Sequence, residues 1–208
     1  MDLAALRQEY AATGLDEVTL TADPLELFGT WLTEAVDSGM HEPNAMVMAT
    51  ERAGQPAARM VLLKGFDEGF VFFTNYESDK GNELAANPRC ALVFPWYPIS
   101  RQVRVEGRAS RVSPAESDRY FASRPYESQL GAVASPQSRV VADRVGLDEL
   151  MEQARAEYGQ AVERPEHWGG YRVIPELVEF WQGRFGRMHD RIRYRRHGAS
   201  WIVERLAP

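Results

Sequence analysis

Between Asn44 and Val112 the chain is a succession of short apolar runs cut by tight turn signals, and this pattern constrains the fold more than any other feature. Residues 45–51 and 57–65 read as strands flanking the turn Arg52-Ala53-Gly54-Gln55-Pro56, and Asp67-Glu68-Gly69 turns the chain into a strand over 70–75. Strands are also expected over 89–94, 102–112, 171–181, 187–195 and 201–206. Helical spacing is confined to a few places. Leu3, Leu6 and Tyr10 mark a short helix over 2–12. Asp23 as N-cap and Pro24 at the first position open a second helix, whose apolar stripe is Leu25, Phe28, Leu32 and Ala35-Val36, and Gly39 closes it. Ser78 caps a short helix that ends near Asn87-Pro88, and further helices are expected over 114–122 and 147–162. Many strands on short turns, with helices inserted or at the ends, imply an α+β fold: an antiparallel β-barrel with added helices, one domain over 1–208. A doubly wound α/β fold is disfavoured, because strands and helices do not alternate and no G-x-G-x-x-G follows a strand.

With 208 residues, 44% of them hydrophobic, the chain can bury a substantial core. It has no apolar run long enough to cross a membrane, and Asp2, Arg7 and Glu9 make a signal peptide at the N-terminus unexpected. The single cysteine, Cys90, sits in an apolar strand and reads as a packed thiol, which fits a reducing, cytoplasmic setting. A net charge of −6 argues against a broad nucleic-acid surface. Anion binding by such a chain must rely on local clusters of cations.

The richest cluster follows Val178-Glu179-Phe180-Trp181-Gln182-Gly183. In an extended strand, alternate side chains share a face, so Arg187, His189 and Arg191 would crowd one side and Met188 and Asp190 the other. Like charges repel, which costs free energy unless a phosphate or an electron-rich ring sits against them. A solvated strand face is the plainer alternative. The carboxylate of Glu179 and the aromatic surface of Phe180 and Trp181 favour a ligand site.

Other segments carry related chemistry. In Arg59-Met60-Val61-Leu62-Leu63-Lys64 an apolar strand is bracketed by two cations of opposite parity, which either snorkel outward or meet different anionic groups. Phe72-Phe73-Thr74-Asn75 ends a strand in polar residues. Ser78-Asp79-Lys80 opens a helix whose N–H groups and dipole suit a phosphate, although capping by Ser78 alone accounts for the Ser. Tyr120, Arg124 and Ser128 recur at intervals of four, but Pro125 disfavours a continuous helix there.

The run Glu179-Phe180-Trp181-Gln182-Gly183, followed by Arg187-Met188-His189-Asp190-Arg191, resembles the C-terminal signature of the pyridoxine/pyridoxamine 5'-phosphate oxidases. The resemblance extends from about Leu6 to Pro208 and includes Trp168-Gly169-Gly170-Tyr171. It implies a split-barrel FMN-binding fold, acting as a homodimer with flavin at the subunit interface. It also implies oxidation of pyridoxamine or pyridoxine 5'-phosphate to pyridoxal 5'-phosphate, with hydride passing to FMN and then to O2, releasing H2O2. Carried over residue by residue, the FMN ligands are Arg59, Met60, Val61, Leu62, Leu63, Lys64, Phe73, Thr74, Lys80, Gln102, Gln137, Ser138, Trp181 and Arg191. The substrate residues are Lys64, Tyr120, Arg124, Ser128, Arg187 and His189, with Arg187 and His189 nearest the chemistry. Arg7, Gln8, Glu9 and Tyr10 fall in a segment that the family closes over substrate, so residues 1–20 are a candidate lid. No metal is implied. The chain departs from the family at Asp79, where arginine is usual, at Phe73, where tyrosine is frequent, and at the acidic pair Asp16-Glu17. Competing readings are a split-barrel reductase of another flavin or deazaflavin, and a non-catalytic flavin- or vitamer-binding protein.

Overall fold

A computed structural model describes residues 14–159 and 161–208. The helix expected over 2–12 lies outside the described residues. Nine strands form one antiparallel sheet: β1 (Ala45–Arg52), β2 (Gln55–Leu62), β3 (Gly65–Phe66), β4 (Phe70–Asn75), β5 (Arg89–Trp96), β6 (Arg101–Arg111), β7 (Trp168–Gln182), β8 (Asp190–His197) and β9 (Ser200–Arg205). The helices are α1 (Pro24–Asp37), α2 (Asp79–Ala86), α3 (Pro114–Ala122), α4 (Tyr126–Ala134) and α5 (Arg144–Tyr158).

The sheet runs β2-β1-β5-β6-β7-β4-β3, with β8 and β9 branching from β7. The antiparallel sheet with added helices is as expected, but the sheet is open: the strands do not close into a hydrogen-bonded ring. The two ends of the path, β2 and β3, are consecutive in sequence, and only Leu63 and Lys64 lie between them. There the backbone bonds both ways, Leu63 N to Asn44 O at 2.9 Å and Lys64 N to Val71 O at 2.8 Å. The sheet curls until its ends almost meet, yet no continuous ladder seals them.

Strand β7 organises the whole sheet. Of its 15 residues, those from Tyr171 to Gln182 pair with β6 along one edge; along the other, Trp168–Val173 pair with β4 and Leu177–Gln182 with β8. Between these halves, Pro175 faces Gly107 at a register shift in β6. Proline lacks the N–H that a central ladder needs, so a bulge is where it is tolerated.

Helix α1 forms as its caps dictate. Asp23 accepts a hydrogen bond from Leu25 N at 2.9 Å, Pro24 fills the first position, and Gly39 follows the end at φ 72°. Its buried face inserts Phe28 among Phe66, Phe70, Phe94 and Trp96, with ring centroids 4.8–5.7 Å apart. One helix residue thus ties β3 at one end of the path to β4 and β5, at about 1.5–3 kcal/mol for a buried Phe. Cys90 is buried as expected, and burial pushes its thiol up to about 12.

Two expectations need correction. The strand expected over 187–195 begins at Asp190, because Phe185–Arg187 form a 3-10 turn in which Gly186 and Arg187 take φ 65° and 61°. Arg187, His189 and Arg191 therefore do not alternate on one extended face. Helix α4 was not anticipated: Pro125 ends one helix and stands as the N-cap of the next.

Candidate active site

The expected site residues fall into two sets at the two ends of β7. The first surrounds Trp168. Here β4 ends in Phe73, Thr74 and Asn75, opposite Gly170, Gly169 and Trp168. These glycines are required by space, because a Cβ at 169 would lie 2.2 Å from Tyr76 Oη and one at 170 would lie 2.8 Å from Phe73. Ser78 caps α2 by accepting from Gly81 N at 3.3 Å. Lys80 then reaches back, donating to Thr74 Oγ1 at 3.2 Å and to Gln137 Oε1 at 3.0 Å, while Thr74 donates to the same Gln137 oxygen at 3.1 Å. Ser138, exposed and left-handed at φ 70°, follows directly. Burial lowers the Lys80 pKa, and the nearby Arg59 lowers it further. Arg59 itself donates to Thr50 and pairs with buried Glu83 at 2.7 Å. Two cations and several small polar groups thus converge at a helix start.

Among the described residues Asp79 makes no hydrogen bond to this cluster, although its charge acts on Lys80 and opposes the lowering of that pKa. Its carboxylate lies 3.8 Å from Arg52, and with Arg52 and Glu83 it lines a separate cavity of about 480 Å³.

Beside the cluster, three aromatic rings lie nearly parallel. Phe73 stacks on Tyr120 at 3.9 Å and 17°, and Tyr120 lies 6.2 Å from Trp168 at 5°. Lys64 lines an open cleft of about 360 Å³ with Phe73 and Tyr120. Arg124, at the α3–α4 junction, rests 4.5 Å above the Trp168 ring. Its Nη1 is buried without a hydrogen-bond partner, and burial lowers its pKa. Among the described residues no carboxylate pairs with it. A guanidinium sealed in this way, with an amino group unmatched, fits an anion supplied from outside. Ser128 sits half-buried in the first turn of α4. Met60, Val61 and Leu62 pair with β1 opposite Val47, Met46 and Ala45, Met60 being exposed and Leu63 beyond them buried.

The second set surrounds Trp181. Gln102, Trp181 and Arg191 are register partners across β6, β7 and β8, so they form one row on one face. Arg191 grips buried Glu179 through two nitrogens at 3.0 and 3.2 Å, and Arg104 meets the same carboxylate at 3.3 Å. The His189 ring packs 4.6 Å from Trp181, and its Nδ1 accepts from Arg184 N at 3.1 Å. That bond fixes the neutral tautomer with the proton on Nε2. Arg187 is exposed, and among the described residues it alone of the arginines at 184, 187, 191 and 193 pairs with no carboxylate.

Trp168 and Trp181 are thirteen residues apart on β7, roughly 40 Å at the rise of an extended strand. The structure thus brings together Thr74, Lys80 and Gln137, and separately Lys64, Phe73 and Tyr120, but holds Gln102, Trp181, His189 and Arg191 at the far end of the strand. Arg7, Gln8, Glu9 and Tyr10 lie outside the described residues. The sequence reading missed Trp168 as the floor under Arg124, and Glu83 and Glu179 as partners of expected ligands; the Trp-Gly-Gly run was the available cue for the first. Among the described residues no cluster of His, Cys, Asp and Glu is placed to hold a metal.

The donor set at Thr74, Lys80, Gln137 and Arg59 fits the phosphate of FMN, and the Gln102–Trp181 row supplies an amide and an aromatic face suited to its ring.

Comparison with known proteins adds the family. Residues 32–168 match the family model for pyridoxamine 5'-phosphate oxidase, and residues 168–208 match the pyridoxine 5'-phosphate oxidase C-terminal dimerisation region. The chain is 56% identical over 210 residues to a pyridoxine/pyridoxamine 5'-phosphate oxidase of Nocardioides, covering 100% of this chain and 99% of that one. It is 55% identical to the protein of that name from Salinibacter ruber, covering 99% of each. Among solved structures, PhzG from Burkholderia lata, in complex with tetrahydrophenazine-1-carboxylic acid, is similar at a TM-score of 0.90 and 28% identity, over 97% of this chain and all of that one. This chain belongs to the pyridoxine/pyridoxamine 5'-phosphate oxidase family.

Proposed function

We propose that the protein oxidises pyridoxamine 5'-phosphate and pyridoxine 5'-phosphate to pyridoxal 5'-phosphate, as an FMN-containing homodimer of split-barrel type. The observation that carries this reading is Arg124: a half-buried guanidinium on an indole face, with Nη1 sealed and unmatched and no carboxylate among the described residues to pair it. A phosphate monoester supplies the missing acceptors. Tyr120 and Lys64 line the adjoining cleft and complete its binding, with Ser128 in the next turn of chain. Thr74, Lys80, Gln137 and Ser138, backed by Arg59, hold the FMN phosphate; Gln102, Trp181 and Arg191 border its ring. A bound FMN would supply the acceptor for a hydride from C4' of the substrate and the route for its electrons to O2. Arg187 and His189 orient the pyridine ring, His189 offering Nε2–H to an oxygen substituent.

The separation along β7 supports a site shared between two copies of the chain. One copy contributes the Trp168 end and the other the Trp181 end, and a C-terminal dimerisation region matches residues 168–208. The same strand pairs with β4, β6 and β8, which supports a single domain across the boundary between the two family models. A cytoplasmic setting is supported by one buried, unpaired cysteine. Residues 1–20 are proposed as the segment that closes over substrate.

The flavin-loaded protein is expected to consume O2 with pyridoxamine 5'-phosphate; stoichiometric flavin uptake without turnover would instead indicate a binding protein. Mixing two impaired variants, Arg124→Ala and Arg187→Ala, tests the shared site through the gain in activity over either variant alone. Subunit exchange regenerates one intact site per heterodimer, so activity should rise. A mixture that exchanges subunits and shows no gain contradicts the arrangement.

A further inference from the structure

We propose that Asp190 is a positioning residue, which holds the loop carrying Arg187 and His189 in its working shape. The proposal rests on the assignment of those two residues to the substrate.

The loop joins β7 to β8, and its middle is conformationally unfavourable. Gly186 and Arg187 both take left-handed φ values, 65° and 61°. A non-glycine residue stays in that region only where its surroundings fix the backbone. Here the fixing contacts are at the two ends. Gly183 N donates to Ser100 O at 2.8 Å, and Arg184 N donates across the loop to His189 Nδ1 at 3.1 Å. The Arg184 guanidinium then meets Asp190 Oδ2 at 3.2 Å.

Asp190 ties this loop to two other parts of the molecule. Its Oδ2 also accepts from Leu15 N at 2.9 Å, and its Oδ1 accepts from Arg205 of β9 at 2.6 Å. Arg205 in turn donates to Leu15 O at 2.8 Å and to Glu17 at 2.6 Å. The contact at Gly14 is tight, at the wall of an open cleft: a Cβ there would lie 2.9 Å from Asp190 Oδ2 and would overlap the Arg184 guanidinium. Both carboxylate oxygens of Asp190 are engaged by these partners, so its influence on substrate must pass through the loop. Beyond Asp190, β8 pairs with β9 from Ile192 to His197 by a ladder in which the Asp190 carboxylate takes no part. The consequence for the site is specific. Release of Arg184 frees the peptide that anchors His189, and with it the tautomer that places a donor at Nε2.

The test compares Asp190→Ala with Asp190→Asn, which keeps an acceptor for Leu15 N but loses the charge, and Arg205→Met with Arg205→Lys. In the flavin-loaded dimer, Asp190→Ala should lower kcat/KM for pyridoxamine 5'-phosphate by about tenfold or more. Asp190→Asn should fall between it and the unmodified protein, and Arg205→Lys should recover part of what Arg205→Met loses. FMN affinity should be unchanged. Hydrogen exchange of the 184–189 amides in the substrate-free protein should accelerate. In an Arg187→Ala background, Asp190→Ala should add little further loss. Unchanged exchange in 184–189, or losses that simply multiply in the double variant, would overturn the proposal. Absence of turnover in the unmodified protein would remove the proposed function, while the exchange measurement would still decide whether Asp190 holds the loop.

Discussion

Two arginines at the two ends of β7, Arg191 and Arg124, stand in opposite electrostatic conditions. At the Trp181 end, Arg191 and Arg104 share Glu179, while Arg184 and Arg205 share Asp190. At the Trp168 end, Arg124 lies against an indole with one nitrogen buried and unmatched. A guanidinium held by a carboxylate is already satisfied and contributes to structure. One that is desolvated without such a partner retains an unmet demand for an anion. Arg187 lies among the paired arginines, yet by this criterion it belongs with Arg124. The difference marks Arg124 and Arg187 as arginines with capacity left for an external anion, whereas Arg59 and Arg191 would meet a flavin only while still paired with Glu83 and Glu179.

The largest expected effect is at Arg124. Replacement by leucine should raise KM for pyridoxamine 5'-phosphate by about ten- to a hundredfold, the equivalent of about 1.5–3 kcal/mol for a charge-assisted contact. The melting temperature should hold or rise, because an unmatched buried charge is removed. A variant that unfolds while keeping its KM would place Arg124 with the structural arginines and break the comparison.

Next is Arg187→Ala, expected to lower turnover by about ten- to a hundredfold with FMN affinity retained. His189→Ala should act in the same direction but more weakly. Flavin release with normal turnover in excess FMN would show that these residues serve the cofactor.

Glu179→Ala tests the other end. It removes the carboxylate from Arg191 and leaves Arg104 with Glu106 alone, and should cost about 1.5–3 kcal/mol of stability, read as a lowered denaturant midpoint at unchanged slope. Unaltered stability would mean that these pairs hold nothing together.

Lys80 sharpens the contrast through pH. Burial and Arg59 lower its pKa, so over a window below the usual 10.5 the unfolded chain binds a proton that the folded chain lacks. Stability of the flavin-free protein therefore gains from Lys80 as pH rises through that window. FMN affinity should move the opposite way, weakening as the ammonium is lost. A Lys80→Met variant that keeps the same pH profile would remove Lys80 as the cause.

The smallest effect is expected at Asp79→Arg. Asp79 faces Arg52 and makes no hydrogen bond to the Lys80 cluster, so FMN affinity should change little. A gain of about 1 kcal/mol that disappears in high salt would instead place residue 79 beside the phosphate.

Much of the fold was readable in the chain. Alternating runs and turn residues located β1, β2 and β4–β6, and the Asp23-Pro24 and Ser78 caps located α1 and α2. The failures have local physical causes. Alternation was extended through 187–189, but Gly186 and Arg187 turn left-handed there, and an apolar–polar pattern does not report φ. Pro125 correctly signalled a break after Arg124, yet it also starts α4, since proline is as acceptable before a helix as after one. The barrel did not close because strand count and turn lengths do not specify whether the last ladder forms.

The site divides in the same way. Residue chemistry identified which side chains suit phosphate and flavin, because cations, amides and aromatic faces carry that capacity wherever they are placed. Which of them are already engaged was decided by tertiary structure alone. Lys80 and Gln137 are 57 residues apart, and Arg104 and Glu179 are 75 apart. Only the sheet's register and the α2 start bring them within hydrogen-bond distance. The sequence determined the inventory of charges and the strands that bear them. Tertiary structure decided which charges neutralise one another and which stay unmatched, because Coulomb and hydrogen-bond energies depend on separation and burial in space.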